Sequence, residues 1–378
     1  MAYPEEYENG AGLAPLRARF RGCLLGGAVG DALGAPVEFL GRAEITARWG
    51  AQGITDFEHA WGGAGKITDD TQMTLFTAEG LLRAWTRAAM RGIGPSFTSV
   101  TAHAYLRWLL TQGERNCHGL LDTTELSGWL IRHKALFHAR APGNTCLTAL
   151  REMRACGEPA RNNSKGCGGV MRVAPVGLFY VRYPGGDVLK AAFDTGCQLA
   201  ALTHGHPTGV LTGGVLAALV LQLAQGGSLP AALARSLDLL KSAPDHDETE
   251  RALEHACLLA ASPLAPQEAI QKLGEGWVAE EALAIALYCA LRARSFAEGV
   301  LMAVNHDGDS DSTGAIAGHV LGAIHGVAAI PQTWRARLEL NAVIKEMADD
   351  LLDYRDWPIS DYDNSPFAIA MREKYPGD

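Results

Sequence analysis

The sequence lacks the marks of several large protein classes. Its eight cysteines form no C-x-x-C pair, which argues against a disulfide framework and leaves reduced, mostly buried thiols as the expectation. No H-E-x-x-H occurs, and His204 and His206 have no companion that would make them a zinc site. The G-x-x-x-x-G-K-[ST] order of nucleotide hydrolases is absent, although a glycine loop runs from Lys165 to Gly169. Basic residues are outnumbered, 33 against 42 acidic, for a net charge of −9, so no phosphate-tracking basic face is available for general nucleic-acid binding. The longest apolar run, 210–222, is broken by Thr212 and falls short of the roughly 20 residues a membrane span needs. The first residues are acidic with no apolar signal core. A soluble, cytoplasmic protein is expected.

What is present is a rich supply of core-forming residues: 48% are apolar and 20% charged. Strand-like alternation is confined to 170–180, where Pro175 interrupts it. Helical runs are expected at 81–89, 101–110, 149–155, 187–202, 229–240, 248–261, 280–294 and 334–352. The fold class is therefore all-α, as one multi-helix domain over 15–378 behind a polar tail at 1–14. The chain beyond Asp353, rich in acidic and aromatic residues, is expected to wrap the surface.

Glycines recur every four residues at Gly22, Gly26, Gly30 and Gly34, and again at Gly314, Gly318, Gly322 and Gly326. A third ladder runs Gly205, Gly209, Gly213 and Ala217. Each glycine inside a helix costs about 0.5–1 kcal/mol relative to alanine. Repetition on one helical face predicts close backbone approach, with three central helices packed on one another.

Two acidic clusters stand at the starts of expected helices. Asp307, Asp309 and Asp311 alternate, interleaved with Ser310, Ser312 and Thr313, of which Ser312 or Thr313 suits the helix cap. Far upstream, Thr68, Asp69, Asp70 and Thr71 precede the helical run from Met73. Carboxylates this crowded repel one another unless a cation lies between them, and hard divalent ions prefer oxygen ligands. Convergence of the two clusters on a pair of metal ions is the central expectation. Glu38, at the end of the first glycine-rich helix, is a candidate for the same site. Cys167 has no sequence-evident base and is expected to be a buried thiol, not a nucleophile. His319 and His325 are expected to pack or face solvent.

Five segments in order, R-G-C-L-L-G-G-A-V-G-D-A-L-G-A-P-V-E-F, I-T-D-D-T-Q-M-T-L, G-C-G-G-V-M-R-V-A-P-V-G, T-H-G-H-P-T-G and H-D-G-D-S-D-S-T-G-A-I-A-G, together resemble the ADP-ribosylglycohydrolases. The resemblance implies a single-domain hydrolase with a binuclear Mg²⁺ or Mn²⁺ cleft that removes ADP-ribose from arginine side chains of proteins. By motif match, Thr68, Asp69, Asp70, Asp309, Asp311 and Ser312 would be metal ligands, Ser312 standing where many members have threonine. Glu38, Asp70 and Asp311 would be the catalytic carboxylates. Gly168, Gly169, Val170, His204 and Asn144 would contact ADP-ribose. One departure concerns Ala141, three residues before Asn144, where the nitrogenase-regulating branch carries an acid; Glu38 or a metal-ligating aspartate would then serve as base. The resemblance also admits O-linked, poly- or nucleic-acid-linked ADP-ribose as substrate, with segment 113–145 as the selector. A third role is an immunity protein that occludes an ADP-ribosylating toxin, using the acidic residues 4–9.

Overall fold

The computed structural model describes residues 10–122, 126–360 and 363–377. The acidic segment 4–9 lies outside them. Among the described residues the order is α1 (Gly10–Gly34), α2 (Arg42–Trp49), a two-residue hairpin of β1 (His59–Ala60) and β2 (Gly63–Ala64), α3 (Asp69–Arg91) and α4 (Phe97–Thr111). Next come α5 (Asn144–Glu152), α6 (Ala174–Val181), α7 (Val188–Ala201), α8 (Pro207–Ala224) and α9 (Leu229–Lys241). The chain continues with α10 (Asp247–Ala260), α11 (Pro266–Leu273), α12 (Ala279–Arg292), α13 (Phe296–Val304) and α14 (Ser310–His325). It closes with α15 (Gln332–Arg337), α16 (Asn341–Asp353) and α17 (Pro366–Lys374). The all-α expectation holds.

Two glycine ladders mesh along the centre. A Cβ added at Gly30 would sit 1.9 Å from the Gly314 carbonyl oxygen, and one at Gly322 would sit 1.9 Å from that of Gly22. Side chains cannot enter such gaps, so the two backbones touch directly. Gly22 meets Gly322, Gly26 meets Gly318, Gly30 meets Gly314, and Gly34 meets Ser310 and Asp311. The pairing is antiparallel. It therefore carries the end of α1 to the start of α14, where Asp309 and Asp311 lie.

The third ladder makes a different contact. Gly213 packs on Gly196 and Ala200 of α7, Gly209 lies against Ser164 and Lys165, and Gly205 stands in the turn before α8. The expected trio of helices joined by glycine faces is thus a pair plus a separate α7–α8 contact. By length and composition α8 could cross a membrane, but 89% of it is buried inside the fold, where it is a core helix.

Other departures have local causes. Residues 170–180 form no strand: Pro175 occupies the first turn of α6, where its missing N–H is no loss, and the helix is buried throughout. Helix α5 begins at Asn144, after Gly143, and not at 149. The expected helix 334–352 breaks into α15 and α16 because Leu340 adopts φ 55° and Glu339 is drawn to Arg140 and Lys66. The C-terminal segment does more than wrap: Tyr375 is fully buried and stacks on Trp357 at 5.5 Å.

Candidate metal centre

Helix α3 is capped by Thr68, whose hydroxyl accepts from the Asp70 amide at 3.3 Å. Helix α14 is capped by Asp309, accepting from the Ser312 amide at 3.3 Å, and not by Ser312 or Thr313. Aspartate wins there because its carboxylate reaches forward over the first turn while Thr313 turns back to the Asp309 carbonyl at 2.8 Å. The two helix starts face each other. The Thr68 hydroxyl acts to lower the pKa of the Asp311 carboxyl, and Asp69 and Asp70 both feel the charge of Asp311 and Asp309.

Asp69, Asp70, Asp309 and Asp311 are all buried. Burial raises the pKa of each, and mutual repulsion raises those of Asp69, Asp70 and Asp309 further. Asp311 is the hub, standing as the principal charged neighbour of the others and of Glu38. Glu38, in the turn after α1, is pushed up to about 11 by burial and then by Asp311, Asp309 and Asp69. Glu38 Oε2 and Asp70 Oδ1 are buried without a hydrogen-bond partner. Although Glu38 faces the Asp311 carboxyl, two acceptors form no bond unless a proton or a cation lies between them. Among the described residues no lysine or arginine forms a salt bridge to any of these acids. Buried oxygen acceptors lacking donors are the chemistry of a hard-cation site.

Asp307, grouped with its neighbours by sequence alternation, is exposed and caps the Arg42 amide at 2.7 Å, away from the cluster. Asp31 was missed. Its carboxylate accepts from the Thr68 amide at 3.0 Å and the Thr71 amide at 3.1 Å, and also takes a short bond from the Thr71 hydroxyl. It thereby holds the first turn of α3 in place. Burial and Asp311 push it up to about 7. The available signal was its place in G-D-A-L-G-A-P-V-E, inside the first glycine ladder and seven residues before Glu38.

Around the cluster, Ser312 directs its hydroxyl to the sulfurs of Cys167 (3.6 Å) and Met171 (3.8 Å). The Cys167 thiol donates to Asp309 Oδ2 at 2.8 Å. Burial, Asp309 and Asp70 hold that thiol well above its usual range, so it is no ready nucleophile. Lys165 is tied to Glu248 at 2.7 Å and by a short bond to Glu280, leaving the glycine loop to offer backbone and not a lysine. Gly168 and Gly169 form a short 3-10 turn whose leading amides have no partner within the turn. Val170 is buried beneath it.

His204 is also buried beneath this loop: a Cβ at Gly168 would come 3.2 Å from its ring. Burial, then the Arg172 guanidinium, lower its pKa to about 3, so it is a neutral support. Arg172, also missed, donates to the Leu199 carbonyl at 3.1 Å and the Thr203 hydroxyl at 2.6 Å. Asn144 is exposed at the start of α5, beside the Gly143 amide that donates to Asp69 at 3.3 Å. Ala141 sits in the left-handed region at φ 53°.

Two other features lie outside the cluster. His246, Asp247 and Glu250 bring ligand atoms within 4.8 Å at the start of α10, but Lys241 already pairs with Glu250 at 2.8 Å. A concavity of about 290 Å³, lined among others by Thr148, Glu152, Arg154 and Asn162, lies at the far end of α5. It does not include the carboxylates.

Comparison with known proteins places the chain in a family. An ADP-ribosylglycohydrolase family model matches residues 13–359. An ADP-ribosylarginine hydrolase, Tri1, of Pseudomonas putida is 26% identical over 89% of this chain and 78% of that protein. The ADP-ribosyl-[dinitrogen reductase] glycohydrolase of Rhodospirillum rubrum is 26% identical over 88% of this chain and 95% of its own. ADP-ribosylhydrolase ARH3 of Bos taurus is 27% identical over 88% and 91%. A solved ADP-ribosylglycohydrolase-related protein complex aligns with TM-score 0.64 and 29% identity over 90% of this chain and 98% of that one. With its paired acidic helix starts lying inside a match that spans nearly its whole length, this chain belongs to the ADP-ribosylglycohydrolase family.

Proposed function

We propose that this chain hydrolyses the N-glycosidic bond between ADP-ribose and arginine side chains of proteins. Two Mg²⁺ or Mn²⁺ ions would be held by Thr68, Asp69 and Asp70 from α3 and by Asp309, Asp311 and Ser312 from α14. The observation that carries the proposal is the buried cluster of carboxylates with partnerless oxygens and, among the described residues, no lysine or arginine in a salt bridge with them. When bound, such ions orient ribose hydroxyls, polarise water and offset the acids' repulsion. Opposite charge beside Glu38 returns it to the ionised form, able to accept a proton.

In the reaction, the bond from water oxygen to ribose C1″ forms as the bond from C1″ to the guanidinium nitrogen breaks. The transition state is oxocarbenium-like, and surrounding carboxylates favour its positive charge. The proton lost by water passes to Glu38, because Asp31 is committed to the α3 amides and Asp309 to the α14 cap. Glu38 then gives a proton to the departing guanidine nitrogen, so that arginine leaves as its guanidinium. Ala141 leaves no acid in its segment to compete for that role. The diphosphate would lie on the Gly168–Gly169 turn, with Val170 and His204 beneath it and Asn144 at the edge.

The arginine linkage is supported by the name of one of the three relatives, the ADP-ribosylarginine hydrolase; the other two names print no linkage, which makes other linkages the comparison to run. Incubation with Mg²⁺ and proteins modified at arginine, at serine or with poly-ADP-ribose tests it. Release from the arginine-linked protein is expected. Release solely from another linkage would overturn the assignment, and none from any would overturn hydrolysis. The toxin-occluding role rests on residues 4–9, outside the described chain, and the named relatives are hydrolases.

A further inference from the structure

Beside the carboxylates lies an aromatic pair that no role above uses. Phe39 follows Glu38 directly, is 66% exposed and adopts φ 67°, a left-handed conformation rarely taken by a bulky residue. Its ring stacks on Trp277, itself 37% exposed, with centroids 5.4 Å apart and planes 21° from parallel. Trp277 belongs to the segment that covers Asp309: the Glu275 carbonyl accepts from the Asp309 amide at 2.8 Å, and the Trp277 carbonyl accepts from the Cys167 amide at 3.2 Å. The two rings thus join loops anchored on either side of the cluster. Trp277 Nε1 donates to Glu275 Oε2 at 3.1 Å, which fixes an exposed carboxylate beside the rings.

We infer that Phe39, Trp277 and Glu275 form the subsite for the leaving side of the substrate, recognising the planar, cationic guanidinium of an arginine side chain. The inference rests on the hydrolase reading above and adds what selects its linkage. A guanidinium stacks face-on against aromatic rings and bonds a carboxylate through its edge, and both partners are offered here within one loop contact of the proposed base. A serine-linked substrate has neither a flat face nor a charge to present. Segment 113–145, the selector expected from sequence, is not required for this discrimination.

The test uses the full chain with Mg²⁺ and one peptide sequence carrying ADP-ribose on arginine or on serine. Trp277→Ala is expected to raise KM for the arginine-linked peptide roughly three- to thirty-fold. The serine-linked peptide and the calorimetric affinity for free ADP-ribose are expected to stay unchanged. Phe39→Leu should shift the same constant in the same direction, Glu275→Gln likewise, and Trp277→Phe should restore most of the loss. An equal change for both peptides, or none for the arginine-linked one, would overturn the subsite. Should the wild type cleave neither peptide, hydrolysis fails by itself. Calorimetry then still reads whether Trp277→Ala erases the preference for arginine-linked peptide over free ADP-ribose; its persistence overturns the subsite.

Discussion

Glu339 and Asp311 are both enclosed acids, and they are held in opposite ways. Glu339 receives Lys66 Nζ at 2.8 Å, Arg140 Nη2 at 3.2 Å, the Ile67 amide at 3.3 Å and a short bond from Arg140 Nη1. Burial pushes its pKa up, but bonds from Arg140 and Lys66 outweigh that and leave it lowered. Asp311 has burial, the same kind of upward push, and only neutral donors and other acids around it, so it stays raised. The first arrangement stabilises the fold with its own counter-charge. The second leaves its counter-charge to come from outside, which is what a cation or ligand site requires.

Removing the internal cation should have the largest effect. Arg140→Ala leaves Glu339 enclosed with Lys66 alone, and a loss of roughly 3–5 kcal/mol in denaturant-derived stability is expected. Asp311→Asn should do the reverse. Activity on an ADP-ribosylated protein should fall about 10²- to 10³-fold, while metal-free stability holds or rises because one repelling charge is gone. A large stability loss in Asp311→Asn would erase the contrast between the two acids.

Metal and pH sharpen the same difference. Saturation with Mg²⁺ at 100 times its Kd should stabilise the wild type by about 2.7 kcal/mol, read as a rise in Tm, and Asp311→Asn should lose most of that rise. The site acids have folded pKa values above their ordinary ones, so their protons are bound more tightly in the folded state. Their contribution to metal-free stability is therefore present at low pH and is lost as pH rises from the ordinary carboxylate value of 3.8 through about 7, the value of Asp31. Glu339 works in the other direction, contributing above its ordinary value of 4.5 and losing that contribution as pH falls below it. Melting curves without metal should show higher Tm near pH 5 than near pH 8, with Mg²⁺ narrowing the gap. A metal-free Tm that rises steadily across this range would contradict the charge state assigned to the cluster.

The smallest expected effect is at the helix contact that brings the acids together. In Gly30→Ala the new Cβ would lie 1.9 Å from the Gly314 carbonyl, and the helices must separate. A cost of about 1–3 kcal/mol is expected, with a larger proportional loss of metal affinity because Asp31 and Asp311 move apart.

Particular residues show how far the chain could be read directly. The α1 and α14 ladders were visible because a four-residue glycine period has few causes besides backbone contact. Asp69, Asp70, Asp309 and Asp311 were visible because crowded acids beside hydroxyls are costly unless used. Asp31 was not, since a single aspartate inside a glycine-rich helix looks the same whether it faces solvent or another helix's amides. Arg172 and Arg140 were hidden for the same reason: their partners, Thr203 and Glu339, are distant in sequence. The break at Leu340 was hidden because it follows from Glu339 being drawn to Arg140, not from any local breaker.

By itself the sequence determined the helical class, the two helix starts rich in carboxylates and hydroxyls and the four-residue spacing that demands close contact. Those properties are local: periodicity, capping chemistry and the absence of a side chain at glycine act within a few residues. Only the tertiary structure decided that α1 and α14 run antiparallel, so that Glu38 and Asp31 arrive beside Asp311 and not at the opposite end. It also decided that Phe39 meets Trp277 across the site. Charge repulsion, burial and stacking depend on distance through space, and distance through space is set by packing.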